Sequence, residues 1–204
     1  MKRFFITIIG ILLIVAQAVP QEEGTPTVTD TYGLGDQTLA LTASLLLPLF
    51  TYLSGDQIEG KSFAETNLSP GGHLSLQWNA FLNPRLTIGA EIGGLFAVDR
   101  HGEALLMVPA TARMSYLFSF MQFDIPLFAN AGVGLMKLAD LLNVSLILRP
   151  GLSANYRYDA NWSFGGTVSF WMIYEPIWGE PPPGPRQNAL TTFIDISPQI
   201  VYHL

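Results

Sequence analysis

His73 and Ser75 are the residues of this chain that come nearest to a catalytic pair, since a histidine stands two positions before a serine. On a β-strand this spacing places both side chains on the same face. A serine nucleophile also requires a base held by a third, orienting group, and no catalytic motif surrounds the pair. His101 and His203 lie far away in the sequence and indicate no metal site. We therefore expect no catalytic residue, no bound metal and no cofactor.

Charged residues inside apolar, alternating stretches form a second candidate site. Each occupies the polar phase of its stretch, and both signs of charge are present. A charge in a low-dielectric interior is costly unless an opposite charge lies near it. We predict that these residues face the inside of the protein as one network, with a salt bridge between Glu91 and Arg113 near its middle. The residues of the predicted network are Glu91, Arg113, Asp124, Arg149, Arg157 and Asp195.

This network has two interpretations. It could act as a gate or selectivity ring for ions, or it could fill a narrow interior and satisfy buried charge. We favour the second interpretation. Small residues in the same phase would leave local space in the interior: Gly89, Gly93, Gly151, Gly165 and Ser169.

The elements that position these residues are predicted to be β-strands, most clearly between Leu146 and Met172. Apolar and polar residues alternate there in two runs that are joined by a short polar link. A period of two indicates strands, and the short link indicates an antiparallel hairpin. Pro150 and Pro198 fall inside predicted strands, where we expect a bulge or a strand end. The predicted strands are residues 38–50, 73–82, 86–97, 105–118, 123–136, 146–157, 162–172 and 190–204.

The composition points to a membrane. The mean hydropathy is +0.33 and 13% of the residues are charged, against about 25% in an average soluble protein. No run after residue 18 is long enough for a transmembrane helix. The net charge of −6 argues against nucleic-acid binding. Apolar residues spread in alternation are expected of a barrel whose apolar face contacts lipid.

Aromatic residues cluster near the ends of the predicted strands. Two such bands are expected where a barrel crosses the two membrane–water interfaces. The predicted girdle residues are Trp78, Tyr116, Tyr156, Trp162, Tyr174, Trp178 and Tyr202.

The chain is predicted to have three segments. Residues 1–18 have the basic start, apolar core and A-x-A end of a signal peptide. Residues 19–36 are polar and predict a flexible periplasmic lead-in. Residues 37–204 hold the strands, whose links alternate between short and long. Short turns on the periplasmic side, long loops outside and both termini in the periplasm are typical of outer-membrane barrels.

The hairpin resembles a known family. Gly151, Tyr156, Arg157, Asn161, Trp162, Ser163, Gly165 and Phe170 match the pattern of the small outer-membrane β-barrels, the OmpA/OmpX/OmpW-like group. The resemblance implies an all-β fold, an eight-stranded antiparallel transmembrane β-barrel, in the cell outer membrane. The end of the chain, residues 200–204, resembles the family's insertion signal for the barrel-assembly machinery, with Leu204 where a Phe is usual. The implied partners are this machinery and outer-membrane lipid, and the implied state is a monomer.

Several functions are compatible with these patterns. The first hypothesis is a structural or permeability protein that passes small apolar solutes, as the resemblance to the OmpW-like branch implies. The alternatives are a surface adhesion protein acting through its outer loops, a lipid-modifying enzyme of the lipid A deacylase kind centred on His73 and Ser75, and a soluble, secreted lipocalin-like binding barrel.

Overall fold

The computed structural model describes residues 32–54, 63–66, 68–99, 102–138, 141–176 and 188–204. The predicted signal peptide, residues 19–31 of the predicted lead-in, His101, and residues 177–187 with Trp178 lie outside these ranges. No helix within the ranges is long and apolar enough to cross a membrane.

Nine strands form one antiparallel sheet, and eight of them close into a barrel. Each barrel strand pairs with its neighbours in the chain, and the first also pairs with the last, which confirms the predicted eight-stranded barrel. The three-residue β2 pairs with the end of β1. The strands are β1 (Gln37–Ser54), β2 (Phe63–Glu65), β3 (Gly71–Phe81), β4 (Leu86–Val98), β5 (Ala104–Phe120), β6 (Phe123–Leu138), β7 (Leu141–Arg157), β8 (Trp162–Glu175) and β9 (Asn188–His203).

The strands extend further on the loop side than the sequence predicts. β6 and β7 stay paired as far as Leu138 and Leu141, whereas the predicted strands end at residue 136 and begin at residue 146. The apolar–polar alternation lapses in this stretch, but backbone pairing does not depend on side-chain polarity. The lost period therefore marks a change of environment and not the end of the strands.

The apolar phase of the strands points outward, as predicted. Leu76 is 50% exposed, Ile92 is 58% exposed and Val133 is 46% exposed, whereas the polar residues between such positions are buried. The lipocalin-like alternative would need the inverse arrangement, with its apolar face turned inward. A closed ladder with an apolar exterior leaves no backbone edge toward lipid.

The interior of the barrel, which we call the bore, differs from the prediction at one end. Its middle and its turn side are polar, as expected. On the loop side the inward residues are apolar instead, and Leu46, Leu95, Met107, Ile147 and Phe193 belong to one buried cluster. Runs such as Leu45-Leu46-Leu47 are apolar in both phases, so alternation alone could not reveal this third of the bore.

Prolines lie where the ladders are interrupted. The β6–β7 ladder continues through Pro150, while the β7–β8 ladder is interrupted there. Pro198 stays paired with β8, and the β1–β9 ladder is interrupted beside it. Neither the bulge nor the strand end that the sequence predicts is present at these prolines, because the register is the same on both sides of each gap and both strands continue. The ladder is interrupted on one side only, where proline has no N–H to donate. A register shift in the β1–β9 ladder falls between Pro48 and Thr51.

Candidate functional site

Six buried side chains meet halfway along the bore. Glu91 is at the centre, where its carboxylate accepts a hydrogen bond from Arg149 Nη1 at 2.5 Å and another from Asn130 Nδ2 at 2.6 Å. Charge-assisted bonds of this kind are the strong ones, so they tie β4, β6 and β7 together through the bore. We call this group the mid-bore charge layer: His73, Glu91, Arg113, Asn130, Arg149 and Asp195, none more than 5% exposed.

The sequence predicted a salt bridge between Glu91 and Arg113, and this partner for Glu91 is wrong. Arg149, across the bore, forms the ion pair with Glu91. The register of β4 and β5 sets Gly89 opposite Arg113, and the Arg113 Nη1 donates to Asn130 Oδ1 at 3.5 Å. Asn130 therefore connects the two residues that the sequence predicted to touch.

Aromatic rings fill the space between the charges. The guanidinium carbon of Arg113 lies 3.6 Å from the centroid of the Phe128 ring, and that of Arg149 lies 4.8 Å from the Trp171 ring. A Cβ atom at Gly151 would overlap the Phe128 ring, so this position requires glycine. The space predicted at Gly151 exists, but Phe128 occupies it, and no free lumen results.

His73, one half of the predicted histidine–serine pair, lies in the charge layer. Its Nδ1 lies 3.7 Å from Asp195 and its Nε2 lies 3.9 Å from Glu91, and its ring meets the edge of Trp171. The Ser75 hydroxyl is hydrogen-bonded to Thr42 at 2.6 Å. Both residues face the bore, as their spacing predicts, but the described contacts do not join the Ser75 hydroxyl to the histidine.

A second, separate cluster lies at the turn-side mouth of the bore. Asp124 accepts a hydrogen bond from the Tyr32 hydroxyl at 2.6 Å, and the Nε of Arg157 lies 3.4 Å from the same carboxylate. The Tyr32 ring stacks on Phe81 at 4.4 Å and on His203 at 5.6 Å between ring centroids. The sequence predicted that Asp124 and Arg157 belong to the mid-bore network. They form a separate network at the turn-side mouth instead.

Tyr32 closes this mouth. Burial and the hydrogen bond to Asp124 raise the pKa of the Tyr32 phenol above its ordinary value, so the neutral, donating form is favoured. Tyr32 to Asp36 belong to the predicted flexible lead-in, yet backbone hydrogen bonds of Gly35 and Asp36 to Phe81 hold this segment against the barrel.

Two cavities lie on opposite sides of the charge layer and share no lining residue. The turn-side cavity, about 60 Å³, lies between Tyr32 and Arg113 and is lined mainly by polar side chains. The loop-side chamber, about 230 Å³, is lined mainly by apolar side chains. The chamber is defined by Thr51, Thr66, Leu68, Leu95, Leu105, Met107, Met136, Ile173, Glu175, Ala189, Thr191 and Phe193.

The predicted girdle residues in the described ranges lie on the outer surface. Trp78 is 42% exposed, Tyr156 is 40% exposed and Trp162 is 41% exposed. Trp162 and Tyr202 are register partners on β8 and β9, with ring centroids 4.8 Å apart. Tyr116 lies near the turn-side end of β5 and Tyr174 near the loop-side end of β8.

Sequence reasoning missed Tyr32, Asn130 and the loop-side chamber. Asn130 is a neutral amide among polar positions and carries no charge signal. The chamber left a weak signal in the inward methionines, because Met107 and Met136 occupy the phase that is otherwise polar.

A family model of uncharacterised proteins matches residues 20–202. The chain belongs to that family. An uncharacterised protein of Borreliella burgdorferi is 30% identical over an alignment of 134 positions, which covers 54% of this chain. This match spans 62% of the relative's length, less than two thirds of it.

Solved outer-membrane proteins share the fold. OprG from Pseudomonas aeruginosa has a TM-score of 0.56 at 12% identity, with 86% of this chain and 98% of that chain covered. Neisserial surface protein A gives 0.51 at 10% identity, covering 80% and 96%. AlkL, determined in DMPC bilayers, gives 0.50 at 15% identity, covering 90% and 97%. At these identities the similarity shows the fold alone, an eight-stranded antiparallel barrel like that of these outer-membrane proteins.

Proposed function

We propose that this protein is an outer-membrane barrel that takes up small apolar solutes in its loop-side chamber. The observation that carries the proposal is the chamber itself: about 230 Å³ of space lined by Leu95, Met107, Met136 and Phe193, in a bore that is otherwise polar. A dry, apolar cavity of roughly 150 Å³ is enough to bind a molecule such as benzene. Ligand sites are commonly concave and apolar with a few polar groups.

The membrane part of the proposal is supported by the outer surface. A largely apolar exterior with aromatic residues near both ends would be unstable in water and is suited to lipid. The shared fold with OprG, Neisserial surface protein A and AlkL supports the same location. The predicted signal peptide would provide the route to the cell envelope.

The charge layer argues against a role as an open ion pore. Its side chains and the rings of Phe128 and Trp171 fill the cross-section between the two cavities. A solute in the chamber therefore leaves through the loop-side mouth or through the wall. The wall is irregular beside the chamber, where the Thr192 hydroxyl bonds the backbone oxygen of Phe50 at 2.9 Å in place of the regular β1–β9 ladder.

The native methionines allow a direct test. Met107 and Met136 line the chamber, Met114 is 58% exposed on the outer face, and Met121 is 79% exposed at a turn. With methyl-labelled methionine and the barrel in lipid nanodiscs, 1-octanol should shift the Met107 and Met136 signals in a saturable way. A non-saturating shift of Met114 would report partition into lipid only.

A filled chamber provides the matched control. Ala189→Phe places a ring among the lining residues, so it should abolish the saturable shifts at Met107 and Met136. Ala110→Phe adds the same volume on the outer face and should leave them unchanged. Saturable shifts that persist in Ala189→Phe, or that never occur in the unsubstituted protein, would contradict the proposal.

A further inference from the structure

One lining residue of the loop-side chamber, Glu175, is acidic, whereas the lining is mainly apolar. Glu175 is inward-facing at the end of β8, in the same phase as Trp171 and Ile173. It is the acidic side chain among the twelve residues that define the chamber, and its neighbours in the lining include Ile173, Ala189 and Phe193. A carboxylate placed against apolar surface loses hydration, which is costly unless a partner replaces the water.

The other inward carboxylates that the structure describes each have a partner that replaces the lost water. Glu91 is paired with Arg149, Asp195 accepts from Trp171 and faces His73, and Asp124 accepts from Tyr32. Glu175 differs from all three. Among the described residues, no donor or cation lies within hydrogen-bond or ion-pair distance of its carboxylate.

The described cations of the chain do not reach Glu175. Arg113 and Arg149 are committed to the mid-bore charge layer, and Lys137 is exposed on the outer phase of β6. Two polar groups of the lining, the hydroxyls of Thr51 and Thr191, lie 3.3 Å from each other. The chamber therefore offers an apolar space with one carboxylate, that of Glu175, at its wall.

We propose that the chamber binds a cationic amphiphile, a molecule with an apolar body and a protonated amine, and that the amine pairs with Glu175. The apolar body would occupy the space beside Met107, Met136 and Phe193. The ammonium group would replace the hydration that Glu175 loses, and a partly buried pair of this kind is weakly screened by salt. This inference rests on the proposed uptake of apolar solutes and adds to it the charge of the solute.

The test uses three probes that share one chain length: octylamine, 1-octanol and octanoate at pH 7. Octylamine is protonated at this pH, as a lysine side chain is. Binding is followed by the saturable shifts of the Met107 and Met136 methyl signals in nanodiscs. We expect octylamine to bind about tenfold more tightly than 1-octanol, and octanoate more weakly than both.

Two variants assign the effect to Glu175. Glu175→Gln should lower the affinity for octylamine about tenfold, to that of 1-octanol, and should leave 1-octanol binding unchanged. Retained 1-octanol binding also shows that the variant is folded. Glu103→Gln removes the same charge from an exposed position on the loop side and should change neither affinity.

The outcomes separate the two proposals. Equal affinities for octylamine and 1-octanol, or an octylamine affinity that Glu175→Gln does not change, would overturn the cationic preference and leave apolar uptake standing. Absence of saturable binding for every probe would overturn both.

Discussion

Glu91 holds the middle of the bore together at the residue scale. It accepts hydrogen bonds from Arg149 and Asn130, and through Asn130 it is linked to Arg113. Two arginines, one histidine and two carboxylates share the layer, so removing one carboxylate leaves a buried positive charge without compensation. Breaking one partner of a buried pair is more damaging than replacing both.

We predict that Glu91→Gln lowers the free energy of unfolding by about 3–5 kcal/mol and produces no ion conductance. The cause is the unpaired Arg149 guanidinium. Urea unfolding in lipid vesicles gives the stability, and planar-bilayer recording gives the conductance. Glu103→Gln, at an exposed position, should stay within about 0.5 kcal/mol of the unsubstituted protein. Conductance that opens in Glu91→Gln without a loss of stability would make the layer a gate instead of a structural filling.

The sequence predicts the direction of the charged side chains in this layer but not how they pair. The inward direction of Glu91, Arg113 and Arg149 follows from the two-residue period of their strands. The pairing does not follow, because long side chains reach across the bore and the partner depends on the relative register of strands far apart in sequence. Arg149 lies 58 positions after Glu91, which no local pattern connects.

Among the elements, β1 and β9 are the pair whose junction is least regular. Their ladder carries a register shift between Pro48 and Thr51, beside the chamber residues Thr51 and Thr191. No bulge occurs at Pro150 or Pro198, where one was expected, and the register shift beside Pro48 was not predicted. The positions of strands were predictable from alternation. Their loop-side ends were not, because there both phases become apolar and the period disappears.

We predict that joining β1 and β9 with a disulfide slows the exchange of a bound solute with lipid. Thr51→Cys and Thr191→Cys replace register partners whose hydroxyls lie 3.3 Å apart, and the chain has no native cysteine. In the oxidised double variant, the Met107 and Met136 signals should show slower exchange with 1-octanol, because the wall beside the chamber can no longer separate. Reduction restores the faster exchange and serves as the control. Equal exchange in both redox states would place the solute's route at the loop-side mouth.

At the scale of the whole molecule, the barrel combines an apolar exterior with a bore of three levels. The loop side is apolar and the middle is charged and closed. The turn side is polar, and Tyr32 closes its mouth. The closed barrel could be predicted from eight alternating runs, whereas the division of its bore could not, since it depends on which inward residues meet at each level.

The outer phase of the strands is proposed to lie in lipid, and a spin-label scan of β5 measures its surroundings. Single cysteines at Val108, Ala110, Ala112 and Met114 report the outer phase, and one at Thr111 reports the bore. In lipid vesicles, the outer labels should be relaxed by dissolved oxygen and shielded from a water-soluble nickel complex, with the bore label shielded from oxygen. Greater relaxation by nickel than by oxygen at Ala110 and Ala112 would show that the outer phase faces water and not lipid.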